Sequence, residues 1–249
     1  MRCGWAYTET MSATPHAALA ALALGLLLGT AAPARAGVPD AEFAVRWDPR
    51  QGGPATPEDT LRELGLKVGE RSRSEVQYFD FTPPPDVPAG FTPILRRRVS
   101  GSHHELSFKL RGSQALPDAP TLKAWACPLG ATDDRKDEVD VGFLDAGRTV
   151  TAWSRSCDLN AEGADVAPPP ALQARPKGCA STMTRLRSGK LKVEEWRLAD
   201  GSVLLEASRP APYHPKSMRA FEHDVLKPLL ALKIQPLERS KSAIGGDCK

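Results

Sequence analysis

Ile94-Leu95-Arg96-Arg97-Arg98-Val99 and Glu105-Leu106-Ser107-Phe108-Lys109-Leu110-Arg111 are the two segments that decide the fold of this chain. The second alternates strictly. Leu106, Phe108 and Leu110 fall on one face, and Glu105, Ser107, Lys109 and Arg111 on the other, as on a strand with one apolar and one charged side. In the first, Arg96 and Arg98 share a side, opposite Leu95, Arg97 and Val99. Ser100-Gly101-Ser102-His103-His104 between them reads as turn chemistry, so the pair is expected to form an antiparallel hairpin. Arg96, Arg98, Lys109 and Arg111 then crowd one sheet face, which calls for an anionic ligand or acidic neighbours.

Working outward, the flanking segments are also strand-like. Ala41–Trp47 and Glu75–Phe81 precede the hairpin, with a short helix between them. Thr56 is its expected N-cap, Pro57 its first residue and Gly65 its end. Downstream, strands are expected over Thr121–Cys127, Glu138–Leu144 and Thr149–Ser156. The run Asp133-Asp134-Arg135-Lys136-Asp137 reads as a solvated charged turn. A Pro-rich loop, about residues 158–178, leads to Thr182–Arg187, Lys190–Leu198 and Ser202–Ser208. Asp200-Gly201 is a strong hairpin signal. From His214 to Ile234, apolar residues recur at three- and four-residue steps, which indicates a helix packed on the outside of the sheet. Pro228 is expected to kink or break it. These elements predict a mainly β, closed antiparallel barrel with flanking helices.

The chain has 249 residues and a net charge of only +3. Basic features are therefore local, and a nucleic-acid footprint is not indicated. Ala17–Ala32 is apolar and Ala34-Arg35-Ala36 offers a small-x-small cleavage site, so residues 1–36 read as a signal peptide and 37–249 as one domain. The protein is expected to be exported, periplasmic or extracellular, with no membrane anchor after cleavage. Cys127, Cys157, Cys179 and Cys248 then suggest two disulfides. Cys157–Cys179 would close the Pro-rich loop and leave Cys127 for Cys248. No Cys-x-x-Cys pair favours zinc.

The succession Tyr78-Phe79-Asp80, Leu95-Arg96-Arg97-Arg98, Leu106-Ser107-Phe108-Lys109, Val193-Glu194-Glu195 and Leu204-Leu205-Glu206, with Ser240-Lys241-Ser242 near the end, resembles the CYTH-like, or triphosphate tunnel metalloenzyme, superfamily. The resemblance implies an eight-stranded antiparallel tunnel. Basic side chains there grip a triphosphate or polyphosphate, and carboxylates hold magnesium or manganese. Carried over by position, Arg96, Arg98 and Lys109 resemble the phosphate grip, with Arg46, Arg111, Arg185 and Arg187 as further candidates. Glu42 and Glu206 resemble the metal-side carboxylates. The opening Glu-x-Glu-x-Lys signature reads Glu42-Phe43-Ala44-Val45-Arg46, and the closing Glu-x-Glu reads Glu206-Ala207-Ser208. Two expected carboxylates are replaced, with Glu195 the nearest candidate to compensate.

Each residue also has a plainer reading. Charges such as Arg96 and Arg98 suit an exposed edge strand, and Glu42 and Glu206 suit salt-bridge partners of the cations. His103 and His104 suit a solvent-exposed turn. Three functions remain open. The first is an exported protein that binds a phosphate-rich anion such as polyphosphate through a degenerate metal site. The second is a metal-dependent triphosphate or polyphosphate phosphohydrolase. The third is a disulfide-stapled structural or partner-binding domain. The missing carboxylates favour the first.

Overall fold

The computed structural model describes residues 38–113, 126–130 and 135–238. The signal-peptide reading, Cys248, Asp133-Asp134, Ser240-Lys241-Ser242 and nearly all of the expected strand Thr121–Cys127 lie outside them. Gly37–Lys249 is one compact unit. Among the described residues the chain forms strands β1 (Asp40–Trp47), β2 (Arg71–Asp80), β3 (Phe91–Ser100), β4 (His103–Gly112), β5 (Arg135–Asp145), β6 (Arg148–Glu162), β7 (Arg175–Pro176), β8 (Ser181–Ser188), β9 (Leu191–Arg197) and β10 (Val203–Pro212).

They make one sheet in the order β3-β4-β6-β5-β1-β10-β9-β8-β2-β7, and the β2–β3 pairing closes it. The barrel has nine strands, not the expected eight; the two-residue β7 lies outside the ring. One pairing, β1 with β5, is parallel, and the rest are antiparallel. Strand count and direction are linked: alternating directions around an odd ring leave one parallel seam.

Two local departures from the sequence reading extend the inner wall. Arg135 and Lys136 belong to β5, not to a turn, because β6 runs on to Glu162 and pairs with them through Cys157 and Ser156. The hairpin turn is also tighter than expected. Gly101, at φ +60°, turns the chain within two residues, so His103 and His104 begin β4.

Helix α1 (Pro57–Glu63) forms as read: the Thr56 side chain accepts from the Asp59 N–H and Pro57 opens the first turn. The C-terminal helix comprises α2 (Pro215–Phe221), a π-helical turn (Glu222–Leu226) and α3 (Lys227–Ala231). Pro228 does not break it, because the wider turn before it absorbs the missing N–H donor. His214 caps α2 by accepting from the Lys216 N–H.

Phe221, Val225, Leu226 and Leu229 pack against the outward residues Phe43, Val45, Val141, Phe143 and Leu205. A second exterior cluster joins Leu106, Phe108 and Leu110 of β4 to Leu129, Val166 and Leu172. Here a disulfide links Cys127 to Cys157. The expected Cys157–Cys179 bridge is therefore corrected. Cys157 points outward from β6, into the cluster that the segment around Cys127 covers. Cys179 is in a disulfide as well. Closing a loop of this length is worth about 3–4 kcal/mol in the chain-entropy view. No described helix is long and apolar enough to cross a membrane.

Candidate functional site

The inward positions on these strands follow from register. Across the β3–β4 pair, Arg96 stands opposite Ser107 and Arg98 opposite Glu105. Across β4–β6, Ser107 meets Asp158 and Lys109 meets Ser156. Across β1–β5, Glu42 meets Asp140, and across β8–β9, Arg185 meets Glu194. Period-two alternation carries all of these side chains into the bore while their apolar neighbours build the exterior core. Toward one end the inward positions of β2, β8, β9 and β10 turn apolar: Val76, Met183, Trp196 and Leu204 are buried together there.

The remaining bore is a cavity of about 320 Å³, within the range of small-ligand pockets. Its lining includes Arg96, Arg98, Lys109, Arg111 and Arg185, five of the seven cations expected to bind ligand. Arg46 also lines it but is committed to Glu206 at 2.5 Å. Arg187 is exposed and does not line the cavity. Seven further lining charges, Glu105, Lys136, Glu138, Asp140, Asp158, Lys192 and Glu194, were not among the expected site residues. The alternation Glu138-Val139-Asp140-Val141 carried the signal, but which wall it faced depended on the β1–β5 seam.

One wall is built of arginine. Arg185 donates from Nε and Nη2 to Glu194 Oε1 at 2.9 and 2.7 Å, and Trp196 Nε1 donates to Glu194 Oε2 at 3.0 Å. Arg96 Nη2 donates to Glu105 Oε1 at 2.9 Å and to Ser107 Oγ at 3.1 Å. Arg98 Nη1 stands 3.6 Å from the same Glu105 oxygen. The Nε atoms of Arg96 and Arg98 are buried and meet no acceptor among the described residues. Burial, then the like charges of Arg96 and Arg185, push the Arg98 guanidinium down to about 10 against the pull of Glu105 and Glu194. It still carries its proton at neutral pH, and it is short of negative partners.

The other wall is acidic. Glu42, Glu138 and Asp140 each bring one carboxylate oxygen within 4.8 Å of the others. Lys192 and Ser208 donate to Glu42 at 2.5 and 2.8 Å, Lys136 to Glu138 at 2.8 Å and Lys109 to Asp140 at 3.1 Å. Hard oxygen donors of this kind suit magnesium or manganese. Glu206 is not in this group; it is buried against Arg46. Glu195 faces the exterior and pairs with Arg197 at 2.6 Å, so it replaces no missing ligand. The second and third carboxylates come instead from β5.

The architecture is a closed, mainly antiparallel barrel around a charged bore.

No protein-family model matches the chain, and no curated protein matches it. Solved structures do resemble it. The PH1012 protein of Pyrococcus horikoshii OT3 is similar at 14% identity, covering 82% of this chain and 99% of its own, with a TM-score of 0.44. A putative adenylyl cyclase of Hippeastrum, HpAC1, described as having a dominant triphosphatase activity, is similar at 13% identity, covering 82% and 93%, with a TM-score of 0.48. A putative adenylate cyclase of Vibrio parahaemolyticus is similar at 9% identity, covering 80% and 94%, with a TM-score of 0.42.

Proposed function

We propose that the bore binds a phosphate-rich anion such as polyphosphate, and that the protein does so after export. The observation that carries this reading is the arginine wall. Arg96, Arg98 and Arg185 converge on a cavity with only Glu105 and Glu194 as ion-pair partners, and two of their buried Nε–H groups meet no acceptor among the described residues. Guanidinium forks match phosphate oxygens in pairs, and a buried, under-neutralised cation gains most from such a ligand. Export is supported by the Cys127–Cys157 disulfide, a bond that persists in oxidising compartments.

The acidic wall favours a second reading, a metal-dependent phosphohydrolase. Glu42, Glu138 and Asp140 would hold a magnesium or manganese ion, which would neutralise phosphate charge and orient an attacking water when bound. In that reading Lys109, Arg111 and the arginine wall bind and orient the phosphate chain.

The deciding experiment is calorimetry of the oxidised protein with tripolyphosphate, with and without manganese, and with phosphate release followed in the same samples. Binding without release supports the anion-binding reading. Manganese-dependent release supports the hydrolase. An absence of both rules out each.

A further inference from the structure

The carboxylates of the arginine wall differ in how they are held. Glu194 also lines the bore, but it is only 2% exposed and is fixed by two hydrogen bonds from Arg185 and one from the buried Trp196 indole. Glu105 is held from the cavity side. Its side chain is 18% exposed, it lines the bore, and its partners are Arg96, Arg98 and the Ser107 hydroxyl. It lies two residues into β4, near the rim of the barrel, with Asn160 of β6 as its register partner. A single oxygen, Oε1, takes the Arg96 contact at 2.9 Å, the Ser107 hydrogen bond at 3.0 Å and the Arg98 approach at 3.6 Å. A phosphate oxygen drawn to the same two guanidinium groups would need that position.

Resting on the anion-binding reading above, we propose that Glu105 is a built-in counter-anion, which an incoming ligand must displace from Arg96 and Arg98 before it binds. The consequence is selection by charge. A singly charged anion replaces one negative charge by another and gains little. A phosphate group carries about −1.5 to −2 near neutrality with three acceptor oxygens, and a chain of them carries more, so it outcompetes one carboxylate. Glu105 then sets which anions enter, while the arginines set how tightly they bind. Residual attraction between Glu105 and the arginines holds the empty bore together, which is why a carboxylate stands there at all.

The test is metal-free calorimetry on the oxidised protein with tripolyphosphate, orthophosphate and nitrate as probes. Wild type, Glu105→Gln, Glu105→Asp and Arg98→Ala are compared. Glu105→Gln is expected to bind all three anions at least about tenfold more tightly, because each of them must displace the same carboxylate, so that nitrate and orthophosphate binding rises toward the measurable range. Glu105→Asp, whose carboxylate is drawn back by one methylene, is expected to fall between. It serves in its own right if the glutamine variant fails to fold. Tripolyphosphate affinity that is unchanged or weaker in both Glu105 variants, while Arg98→Ala abolishes it, would overturn the proposal and leave Glu105 as a residue that only orients the arginines. Failure of wild type and every variant to bind any probe would overturn the anion-binding reading itself, and the counter-anion with it.

Discussion

On β3 and β8, Arg96, Arg98 and Arg185 share two carboxylates, Glu105 and Glu194, whereas on β1 and β5 each of Glu42, Glu138 and Asp140 has a basic partner of its own. Both walls bring charge into a confined bore, where an unbalanced charge is costly. The acidic wall meets that cost internally, lysine by lysine. The arginine wall does not, and burial, with the like charges of Arg96 and Arg185, pushes Arg98 down to about 10. The difference teaches which side has capacity left for a ligand of opposite sign. It also separates two kinds of ion pair. In Arg46–Glu206 only the arginine reaches the cavity and the carboxylate is 1% exposed, while both members of Arg98–Glu105 line the cavity.

Breaking the Arg46–Glu206 pair should produce the largest effect. Glu206→Gln removes the partner of a buried guanidinium and is expected to lower stability by about 3–5 kcal/mol. Urea denaturation measures this, and a loss below about 1 kcal/mol would show that Arg46 finds other company. At the cavity, Arg98→Ala is expected to weaken metal-free tripolyphosphate binding by on the order of 100-fold, as for truncation of a buried charge partner. An equal loss from Lys192→Met would erase the distinction between the walls. The acidic wall has its own test. Asp140→Asn is expected to reduce manganese affinity at least about tenfold, since hard cations bind in proportion to charged oxygen ligands. Metal-free tripolyphosphate binding should not fall with it, because Lys109 and Arg111 lose a competitor.

The β3 part of the arginine wall was legible in the sequence because it needs only one hairpin, while Arg185 was read from the alternation of a separate strand. Local register then set Arg96 opposite Ser107 and Arg98 opposite Glu105. The acidic wall was not legible, because it needs the parallel seam between β1 and β5. Glu42 and Asp140 are nearly a hundred positions apart by number, and no turn between neighbouring strands fixes their register. The resemblance pointed to Ala44 and Ser208 as missing carboxylates, while the two acids that join Glu42 enter from β5. The disulfide misreading has the same origin. Proximity along the chain favoured Cys157–Cys179, but the outward face of β6 put Cys157 under the segment that carries Cys127. The helix survived Pro228 for a local reason that spacing alone does not encode, the π turn before it.

The finest test of the contrast between walls is its dependence on pH, and it turns on Asp158. This carboxyl lines the bore beside the arginine wall on β6, sharing Ser107 with Glu105. Burial raises its pKa above the usual aspartate range. Glu105 adds to the rise, and the Ser107 hydrogen bond, Arg96 and Arg98 only partly oppose it. Glu105 itself is shifted the other way: burial disfavours its charge, but Arg98, Arg96 and Ser107 outweigh that and hold it below the usual range. As pH falls, Asp158 therefore takes a proton first, and the wall loses a negative charge while Glu105 keeps its own. Anion affinity should rise a few-fold as pH drops through the raised pKa. In Asp158→Asn it should be high throughout, so the ratio of variant to wild-type affinity, in which the ligand's own protonation cancels, should fall toward one at acid pH. The same shift predicts stability. The folded state binds this proton more tightly than the unfolded chain, so the favourable contribution is present below the unfolded pKa and lost as pH rises through the folded one. Asp158→Asn should accordingly stabilise the protein at pH 7 and change little at pH 3. A ratio that stays flat with pH would mean that Asp158 is too well solvated to sense the arginines, and the wall would then be balanced by Glu105 and Glu194 alone.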